Sequence, residues 1–335
     1  MQRQRDKPDP LLRVLSREEV RAAADMPAAI RAMEQAFGQL SSGQALVPQR
    51  LSLGINESDV LLMPAYLRGS EQLGCKIVSV FGQNPPKGLP RVSALVVMLN
   101  ATTGIPRAVV EGTFLTALRT GAATGLATKL LAKRDASVLA VYGAGTQARS
   151  QLEAVQCVRD IREVRIVSRT RQSAEAFAAE IEGPRVLIVQ DRATALKGAD
   201  IVVTATSSRI PVFDGDEVEL GTHVNGVGSY RPDMREVDSS FVVRARIFVD
   251  SRAAALREAG DLIVPIKEGV ISEADIEAEL GELVNGDKEG RVSEQEITFF
   301  KSVGTAAQDV VVADLVLAVA EEKEMGIQIS LLGQS

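Results

Sequence analysis

The chain has few of the residues on which several classes of site depend: no tryptophan, one histidine and two cysteines. The lone histidine, His223, excludes a metal site built from several histidines. A Ser-His-Asp triad would have to use it, but no nucleophile-elbow sequence is present, so we interpret His223 as structural. Cys75 and Cys157 are too few for a disulfide framework, which favours a cytoplasmic location.

Long apolar runs and an excess of positive charge are also missing. No run approaches the roughly 20 residues of a membrane-spanning helix. The polar segment 1–10 lacks the apolar centre of a secretory signal, and we interpret it as a loose tail. The net charge of −6 argues against nucleic acid as a partner, because phosphate contacts need a basic surface. We therefore expect a cytoplasmic protein with neither nucleic acid nor a membrane as its partner.

The clearest motif lies in residues 137–148. A short apolar run, Val138–Tyr142, is followed by two glycines in a tight turn and then by a helical pattern, which is the context that G-x-G-x-x-A requires. Gly143 allows the turn, Gly145 lets a pyrophosphate approach the backbone, and Ala148 lets the helix pack closely. The N–H groups at the start of the helix can hold the phosphate charge. The motif predicts a dinucleotide site, and a glycine-rich turn without a ligand is the alternative.

Apolar runs alternate with helical patterns from about residue 125 to 304, which predicts a doubly wound parallel sheet of the Rossmann type. Strands are predicted at 138–142, 163–168, 185–189, 201–205, 222–227 and 246–249, and helices at 146–158, 171–182 and 192–198. Outside this region we predict helices at 16–43, 116–132 and 305–324, and strands at 60–63, 73–80, 92–99 and 106–110, the last two as a hairpin. The fold class is therefore α/β, with a Rossmann domain at 125–304 and a second α+β domain for substrate binding and dimerisation formed by 1–124 together with 305–335.

The end of the second predicted strand bears on which dinucleotide binds. An NAD-binding chain usually carries Asp or Glu about 20 residues after the glycine motif, where it binds the ribose hydroxyls. Here the sequence is Ser168-Arg169-Thr170-Arg171, with no carboxylate and two arginines whose planar forks suit phosphate. We predict NADP(H) as the preferred cofactor and NAD(H) as the second choice. The alternative is that both arginines are solvated residues at a helix start.

Four basic residues outside the dinucleotide region stand out by their context: Arg50, Lys76, Arg91 and Arg119. Lys76 lies inside the apolar run 73–80, where a charged amine is costly unless it is paired with an anion. We therefore consider Lys76 a candidate substrate-binding residue. Strand alternation leaves open that Lys76 points to the open face of an antiparallel sheet.

Several stretches, spread over about residues 14–325, together resemble the ornithine cyclodeaminase/mu-crystallin family. The most specific are G-A-G-T-Q-A at 143–148 and N-G-V-G-S-Y-R-P-D-M-R-E-V-D at 225–238. The others are residues 48–50, 63–67, the strand around Lys76, 111–120, 250–252, 259–261, 281–283 and 300–304.

The resemblance implies a homodimer and an enzyme that handles imino or amino acids with a nicotinamide cofactor. It implies that Arg50, Lys76 and Arg119 bind the substrate carboxylate and that Val303 lies near the substrate. It places Arg119, Thr120, Thr146, Gln147, Val227 and Ser302 at the cofactor, alongside Gly143, Gly145, Ala148, Ser168, Arg169 and Thr170 from the motifs above. Lys76, or a water that it orders, is our candidate proton donor. No metal is implied.

One departure distinguishes among members of the family. Ornithine cyclodeaminases carry an aspartate, which binds the substrate amine, at the position where this chain has Tyr230. The segment resembles the mu-crystallin-like branch more closely. We therefore predict NAD(P)H-dependent reduction of a cyclic ketimine, pyrroline-2-carboxylate or piperideine-2-carboxylate, to L-proline or L-pipecolate. The alternatives are an alanine dehydrogenase or another imino-acid reductase, an ornithine cyclodeaminase, and a non-enzymatic protein that binds NADPH and a small ligand.

Overall fold

Two eight-stranded sheets organise the protein. The computed structural model describes residues 11–331, so the predicted loose tail at 1–10 lies outside the described residues. We call the sheet formed mainly by the first third of the chain the antiparallel sheet, and the other the parallel sheet.

The strands, in chain order, are β1 (Leu11–Leu15), β2 (Ala45–Leu46), β3 (Leu51–Ile55), β4 (Ser58–Leu67), β5 (Gln72–Val80), β6 (Val92–Asn100), β7 (Pro106–Glu111), β8 (Val138–Tyr142), β9 (Glu163–Val167), β10 (Arg185–Ile188), β11 (Ile201–Thr204), β12 (His223–Gly226), β13 (Ala245–Val249), β14 (Ile276–Glu279), β15 (Ile297–Lys301) and β16 (Ile327–Ser330). The α-helices are α1 (Arg17–Ala23), α2 (Met26–Ser41), α3 (Gly112–Leu131), α4 (Thr146–Gln156), α5 (Arg171–Ala178), α6 (Arg192–Leu196), α7 (Ser239–Arg244), α8 (Arg252–Glu258), α9 (Gly260–Lys267), α10 (Leu280–Val284) and α11 (Ala306–Glu322).

The parallel sheet runs in the order β10-β9-β8-β11-β12-β15-β13-β14, and its paired strands are all parallel. The chain starts at β8, moves outward through β9 to β10, and returns to the other side of β8 with β11. In a doubly wound sheet, ligands bind outside the carboxyl ends of the strands where the direction reverses, here between β8 and β11. The structure confirms the Rossmann-type fold that the alternating pattern predicts.

The antiparallel sheet runs in the order β16-β1-β7-β6-β5-β4-β2, and β3 also pairs with β4. Its described pairs are antiparallel except β1–β7. The predicted hairpin is confirmed as β6 and β7, which are antiparallel neighbours. Helices α2, α3 and α11 lie on one face of this sheet and share one apolar core with it.

The other face of the antiparallel sheet is open and apolar, and we call it the open face. The strand registers place Leu51, Leu62, Ile77 and Leu95 side by side across β3, β4, β5 and β6. Leu51, Ile77 and Leu95 are 62%, 41% and 48% exposed. Contiguous apolar patches on the surface of a protein usually mark an interaction site.

Two predicted helices differ from the observed ones: one is divided in two, and the other begins earlier. The predicted helix at 16–43 is two helices, because Ser16 caps α1 and Asp25 then caps α2. The helix predicted from residue 116 begins at Gly112, because the Glu111 carboxylate accepts hydrogen bonds from the N–H groups of Thr113 and Phe114. A side-chain cap upstream of the helical pattern was the missing signal.

Sequence reasoning also missed β1 and β16, the short strands β2 and β3, and two strands of the parallel sheet, β14 and β15. β1 and β16 pair with each other at the edge of the antiparallel sheet. β14 is four residues long with alternating acidic side chains, so it carries no strong apolar signal. β15 is fully buried, and its lysine, Lys301, is buried with it because Asp261 lies 2.9 Å from the amine.

The predicted domain boundary between residues 124 and 125 falls inside α3, which is continuous from Gly112 to Leu131. Helix α3 packs on α2 and also on α4 of the parallel-sheet layer. His223 is fully buried in β12, where its ring nitrogens lie 2.9 Å from Thr298 Oγ1 and 3.2 Å from Asn225 Oδ1. Within residues 11–331, no helix is long and apolar enough to cross a bilayer.

Candidate active site

The turn after β8 has the shape that a bound pyrophosphate requires. Gly143 has φ +118°, and a methyl group added there would lie 2.5 Å from the carbonyl oxygen of Ala205, so only glycine fits. A methyl group added at Gly145 would meet no atom within 4 Å, which leaves open space beside the backbone. The predicted roles of both glycines are consistent with this geometry, and the residues present fit a dinucleotide.

Helix α4 begins directly after the turn, with Thr146 as its exposed first residue and Gln147 half-buried behind it. Gly145 is its N-cap and provides no side-chain oxygen, so the first N–H groups of the helix remain available to an anion. Ala148 is fully buried in the core, as close helix–sheet packing requires. Arg149 donates to the carbonyl oxygens of Ala144 and Gly145 at 2.8 and 3.2 Å, which fixes the turn.

A cavity of about 320 Å³ lies at the end of β9. It is lined by Ser168, Arg169, Arg171, Ala174, Ile188, Val189 and Gln190. Arg171 is already paired with Glu175 at 2.7 Å, whereas exposed Arg169 has no partner within residues 11–331. Thr170 caps α5 by accepting from the Ser173 N–H. The predicted phosphate-binding residues therefore meet at one cavity, with Arg169 as the free cation among the residues that the structure describes.

Buried Glu236 joins the loops after β11 and β12 at the same sheet edge. Its two oxygens accept hydrogen bonds from the N–H groups of Thr206, Gly228 and Ser229 at 2.6, 2.7 and 3.1 Å, and from two threonine hydroxyls. Burial raises the pKa of Glu236. Val227 lies in this loop, half-buried, directly after β12.

Ser302 also contacts this edge, whereas Thr120 lies within α3. Ser302 follows β15, and its N–H donates to the carbonyl oxygen of Gly226 at 3.1 Å. Thr120, buried in α3, donates its hydroxyl to the carbonyl oxygen of Thr116. The contact of Ser302 supports its proposed assignment to the cofactor, and the assignment of Thr120 stays a prediction from the resemblance.

Lys76 points to the helix-covered face of the antiparallel sheet, between Met63 and Val96. Its side chain is 2% exposed, and its amine lies 2.7 Å from Asp309 Oδ2 on α11. The other oxygen of Asp309 accepts from Arg119 Nε at 2.9 Å. The alternative that Lys76 points to the open face is therefore wrong, and a single buried carboxylate joins two of the predicted substrate-binding cations.

The environment of Lys76 changes its acidity. Burial lowers the pKa of Lys76 to about 8, and the charges of Arg119 and Arg50 act in the same direction, while Asp309 opposes them. A lysine with a pKa in this range can exchange a proton near neutral pH, as general acids and bases do.

Arg50 joins the cluster from the segment between β2 and β3. Its Nη2 atom contacts Glu258 Oε2 at 2.7 Å and donates to the carbonyl oxygens of Gly304 and Val303 at 2.7 and 3.3 Å. Its Nε and Nη1 atoms have no hydrogen-bond partner among residues 11–331, so they remain available to a ligand. The structure thus brings Arg50 together with Val303, while Arg91 is exposed and forms none of these contacts.

Gly304 brings Arg50 and Arg119 into the same site. Its φ is +79°, and a methyl group added there would lie 2.6 Å from Arg119 Nη1. Arg119 Nη1 also donates to Gln308 Oε1 at 2.9 Å. The backbone of Gly304 therefore lies against Arg119 on one side and accepts from Arg50 through its carbonyl oxygen.

Sequence reasoning missed the acidic members of this site, Asp309, Glu258 and Asp250. Asp309 had a signal, because it is a carboxylate in a helix whose other residues are mostly apolar, and such a group must find a cation when buried. Asp250 follows directly after a buried strand of the parallel sheet, where functional side chains are common. Glu258 ends a short helix, and nothing in its sequence context distinguishes it.

Tyr230 is half-buried, and burial raises the pKa of its hydroxyl. Asp233, the nearest aspartate in this segment, lies 3.2 Å from both Arg209 and Arg231. Asp233 is therefore occupied by arginines and does not supply the carboxylate that Tyr230 lacks.

Comparison with known proteins gives consistent matches along the chain. It is 39% identical over 322 residues to a Delta(1)-pyrroline-2-carboxylate reductase of Bacillus cereus, covering 94% of this chain and 99% of the relative. It is similar to the solved structure of Thermococcus litoralis Delta(1)-pyrroline-2-carboxylate reductase in complex with NADH and L-proline, with a TM-score of 0.93 and 41% identity over 95% of this chain and 100% of that one.

A second solved structure is nearly as similar: an archaeal alanine dehydrogenase dimer with bound NAD, with a TM-score of 0.91 and 39% identity over 96% of this chain and 99% of that one. The model of one protein family matches residues 12–324. The chain therefore belongs to the ornithine cyclodeaminase/mu-crystallin family.

Proposed function

We propose that this protein is a cytoplasmic NAD(P)H-dependent reductase of cyclic ketimine 2-carboxylates, with pyrroline-2-carboxylate and piperideine-2-carboxylate as substrates and L-proline and L-pipecolate as products. The observation that carries the proposal is the cluster of Arg50, Lys76 and Arg119 beside the dinucleotide edge of the parallel sheet. The matched reductases act on pyrroline-2-carboxylate, as their names state. Both cysteines are free thiols, which supports the cytoplasmic location.

The turn at Gly143 and Gly145 and the start of α4 would hold the nicotinamide cofactor, which would supply a hydride. The protein's own part is to bind and orient the imine. Arg50 offers Nε and Nη1 to the substrate carboxylate, and Arg119 and Lys76 add positive charge on the other side. Charge-assisted bonds of this kind hold a planar carboxylate in one orientation, which sets the face of the C=N bond that is reduced.

The imine nitrogen must gain a proton for the reduction to proceed. Lys76 is the proposed donor because its pKa of about 8 is well below that of an exposed lysine. Asp309 keeps the amine in place and lies on the side away from solvent, fully buried on α11. We propose that Lys76 passes its proton to the imine directly or through one ordered water.

The preferred cofactor is proposed to be NADP(H). The two matched solved structures contain NADH and NAD, so the dinucleotide site itself is common to them. Support for the extra phosphate comes from this chain: the cavity at the end of β9 holds no carboxylate and contains Arg169, a cation without a protein partner in the described residues.

The assembly is proposed to be a homodimer, with residues 1–124 and 305–335 as the dimerisation and substrate domain and 125–304 as the cofactor domain. The open face supports this, because contact with a partner would remove its exposed leucine and isoleucine side chains from water. The alanine dehydrogenase in the second matched structure is a dimer. A second copy of the chain is the proposed cover.

The decisive test is NADPH and NADH oxidation, followed by cofactor absorbance, with pyrroline-2-carboxylate, piperideine-2-carboxylate and pyruvate plus ammonia assayed side by side. We expect the cyclic imines to give the highest kcat/KM. Activity on pyruvate plus ammonia alone would make the protein an alanine dehydrogenase, which the second matched structure favours as the alternative. Conversion of ornithine to proline and ammonia would establish a cyclodeaminase. Binding of NADPH without turnover of any substrate would indicate a ligand-binding protein.

The Lys76→Met variant should lose kcat/KM by about 10²–10⁴, the usual contribution of a general acid. In the wild type, Lys76 carries its proton below its pKa and loses it above, so kcat/KM should fall as the pH rises through about 8. In Asp309→Asn this decline should move to lower pH, because the Asp309 charge raises the pKa of Lys76. A decline at the same pH in both proteins would assign it to another group.

The Arg169→Ala variant should raise the KM for NADPH by about tenfold or more and change the KM for NADH by less than about threefold, because a charge-assisted bond to phosphate contributes roughly 1.5–3 kcal/mol. Arg171→Ala is the matched comparison and should have the smaller effect, since Glu175 already holds that guanidinium. A wild-type protein that prefers NADH would contradict the NADP(H) preference.

Leu53 lies two residues from Leu51 on β3, on the same open face, and is 55% exposed. The Leu53→Glu variant should dissociate the dimer, because it places a charge where the partner would cover this face. Light scattering after size-exclusion chromatography should give twice the mass of one chain for the wild type and one chain for the variant. Val292→Glu is the control, since Val292 is similarly exposed, at 60%, but lies outside the open face. A dimer mass for all three proteins would place the interface elsewhere, and a single-chain mass for the wild type would reject the dimer.

A further inference from the structure

Residues 302–304 form a short turn between the dinucleotide edge and the substrate cations. On one side, the Ser302 N–H donates to Gly226 at the end of β12. On the other side, the carbonyl oxygens of Val303 and Gly304 accept from Arg50 Nη2. The same turn therefore touches the sheet edge where the cofactor is proposed to lie and one of the groups proposed to hold the substrate.

The conformation of this turn depends on Asp250, which is fully buried at the end of β13. Asp250 Oδ2 accepts hydrogen bonds from the Ser302 hydroxyl at 2.8 Å and from the N–H groups of Val303 and Gly304 at 2.9 and 2.6 Å. Asp250 Oδ1 accepts from the Ser251 N–H at 2.9 Å. Both oxygens thus face donors, three of which belong to the turn.

The direction of these bonds explains how Asp250 acts on the site. The Gly304 N–H and the Val303 carbonyl belong to one trans peptide and point in opposite directions, so the carboxylate that accepts this N–H directs the Val303 carbonyl oxygen toward Arg50. The Gly304 carbonyl, which also accepts from Arg50, belongs to the next peptide, whose Thr305 N–H donates to Gln308 Oε1. An anion accepting several N–H groups makes bonds about twice as strong as neutral ones. Glycine at position 304 allows the positive φ of the turn and its close approach to Arg119.

We propose that Asp250 is a positioning residue for the reduction: it fixes the turn so that Arg50 meets the substrate carboxylate at a set distance from the cofactor edge. This rests on the proposed function, in which Arg50 binds that carboxylate. Asp250 itself is fully buried behind the turn, so its effect on the substrate passes through the backbone of Val303 and Gly304.

The Asp250→Asn variant tests the proposal, because asparagine has the same size but turns one acceptor into an NH₂ group that faces N–H or O–H donors. We expect the KM for the imino acid to rise by about tenfold or more, since loss of a charged acceptor costs roughly 1.5–3 kcal/mol. The Kd for NADPH, measured by the fluorescence of the bound cofactor, should rise by a smaller factor than the imino-acid KM, because the glycine turn and α4 are untouched and Ser302 is the one proposed cofactor residue that Asp250 contacts. An imino-acid KM within about twofold of wild type in the folded variant would overturn the proposal.

A double-mutant cycle with Arg50→Ala separates positioning from general stabilisation. Arg50→Ala alone should raise the imino-acid KM by about 30-fold. If Asp250 acts through Arg50, adding Asp250→Asn to Arg50→Ala should raise the KM by less than about twofold more. Full additivity of the two effects would show that Asp250 acts on the imino-acid KM independently of Arg50, and would reject the inference.

The single Arg50→Ala variant distinguishes a failure of the proposed function from a failure of the positioning role of Asp250. An unchanged imino-acid KM in Arg50→Ala would reject the proposed grip of the carboxylate, and with it the basis for this role of Asp250. A raised KM in Arg50→Ala together with a normal KM in Asp250→Asn would leave the proposed function intact and reject the positioning role alone.

Asp200→Asn is the matched control, because Asp200 also accepts two backbone N–H groups, those of Ser137 and Val138, but at the amino edge of the parallel sheet. It should lower the thermal midpoint without raising the imino-acid KM. If Asp250→Asn does not fold, Gly304→Ala disturbs the same turn from the Arg119 side and should raise the imino-acid KM while leaving the Kd for NADPH within about threefold. A normal KM in Gly304→Ala would then overturn the proposal.

Discussion

The site depends on one buried carboxylate, Asp309. It contacts Lys76 from β5 and Arg119 from α3, and all three side chains are withdrawn from water. Burying a charge is costly unless opposite charges and hydrogen bonds replace its hydration, so α11 can cover the sheet only with the carboxylate between the two cations. The same contact that closes the core therefore fixes two of the groups that are proposed to meet the substrate.

One continuous stretch, residues 301–309, connects the two halves of the molecule. It begins at Lys301, buried against Asp261 in the parallel sheet, and ends at Asp309 in the core of the antiparallel sheet. Between them lies the turn that Asp250 holds and that Arg50 contacts. Because the stretch is anchored by a charge at each end and in the middle, the distance between the cofactor edge and the substrate cations is set by the backbone rather than by flexible side chains.

Local sequence predicted the parts of this arrangement that depend on local chemistry. The turn at Gly143 and Gly145 needs open or left-handed backbone, which glycine provides, and the strand before it has the apolar run of a buried strand, so both could be identified directly. The basic residues Arg50, Lys76 and Arg119 also stood out, the lysine because it interrupts an apolar strand. The partners of these groups could not be predicted, because they come from far along the chain. Asp309 meets Lys76 only once the register of β5 with β4 and β6 has set which face carries the lysine, and Glu258 reaches Arg50 only when the two layers pack together.

The balance of charges in the site bears on which group gives the imine its proton. Among the side chains in direct ion-pair contact, Arg50, Lys76 and Arg119 face two carboxylates, Asp309 and Glu258, so one positive charge of this set remains for the single carboxylate of an imino acid. The charge of Asp250 is compensated separately, by the N–H and hydroxyl donors of residues 302–304. A proton taken from solvent by the bound imine would restore an excess positive charge in a largely buried site, which is unfavourable. A proton moved from Lys76 to the imine leaves the total unchanged. The lowered pKa of Lys76 reduces the free energy needed for that transfer, because burial already destabilises the charged amine. The arrangement of charges thus favours an internal proton donor and a substrate with one carboxylate.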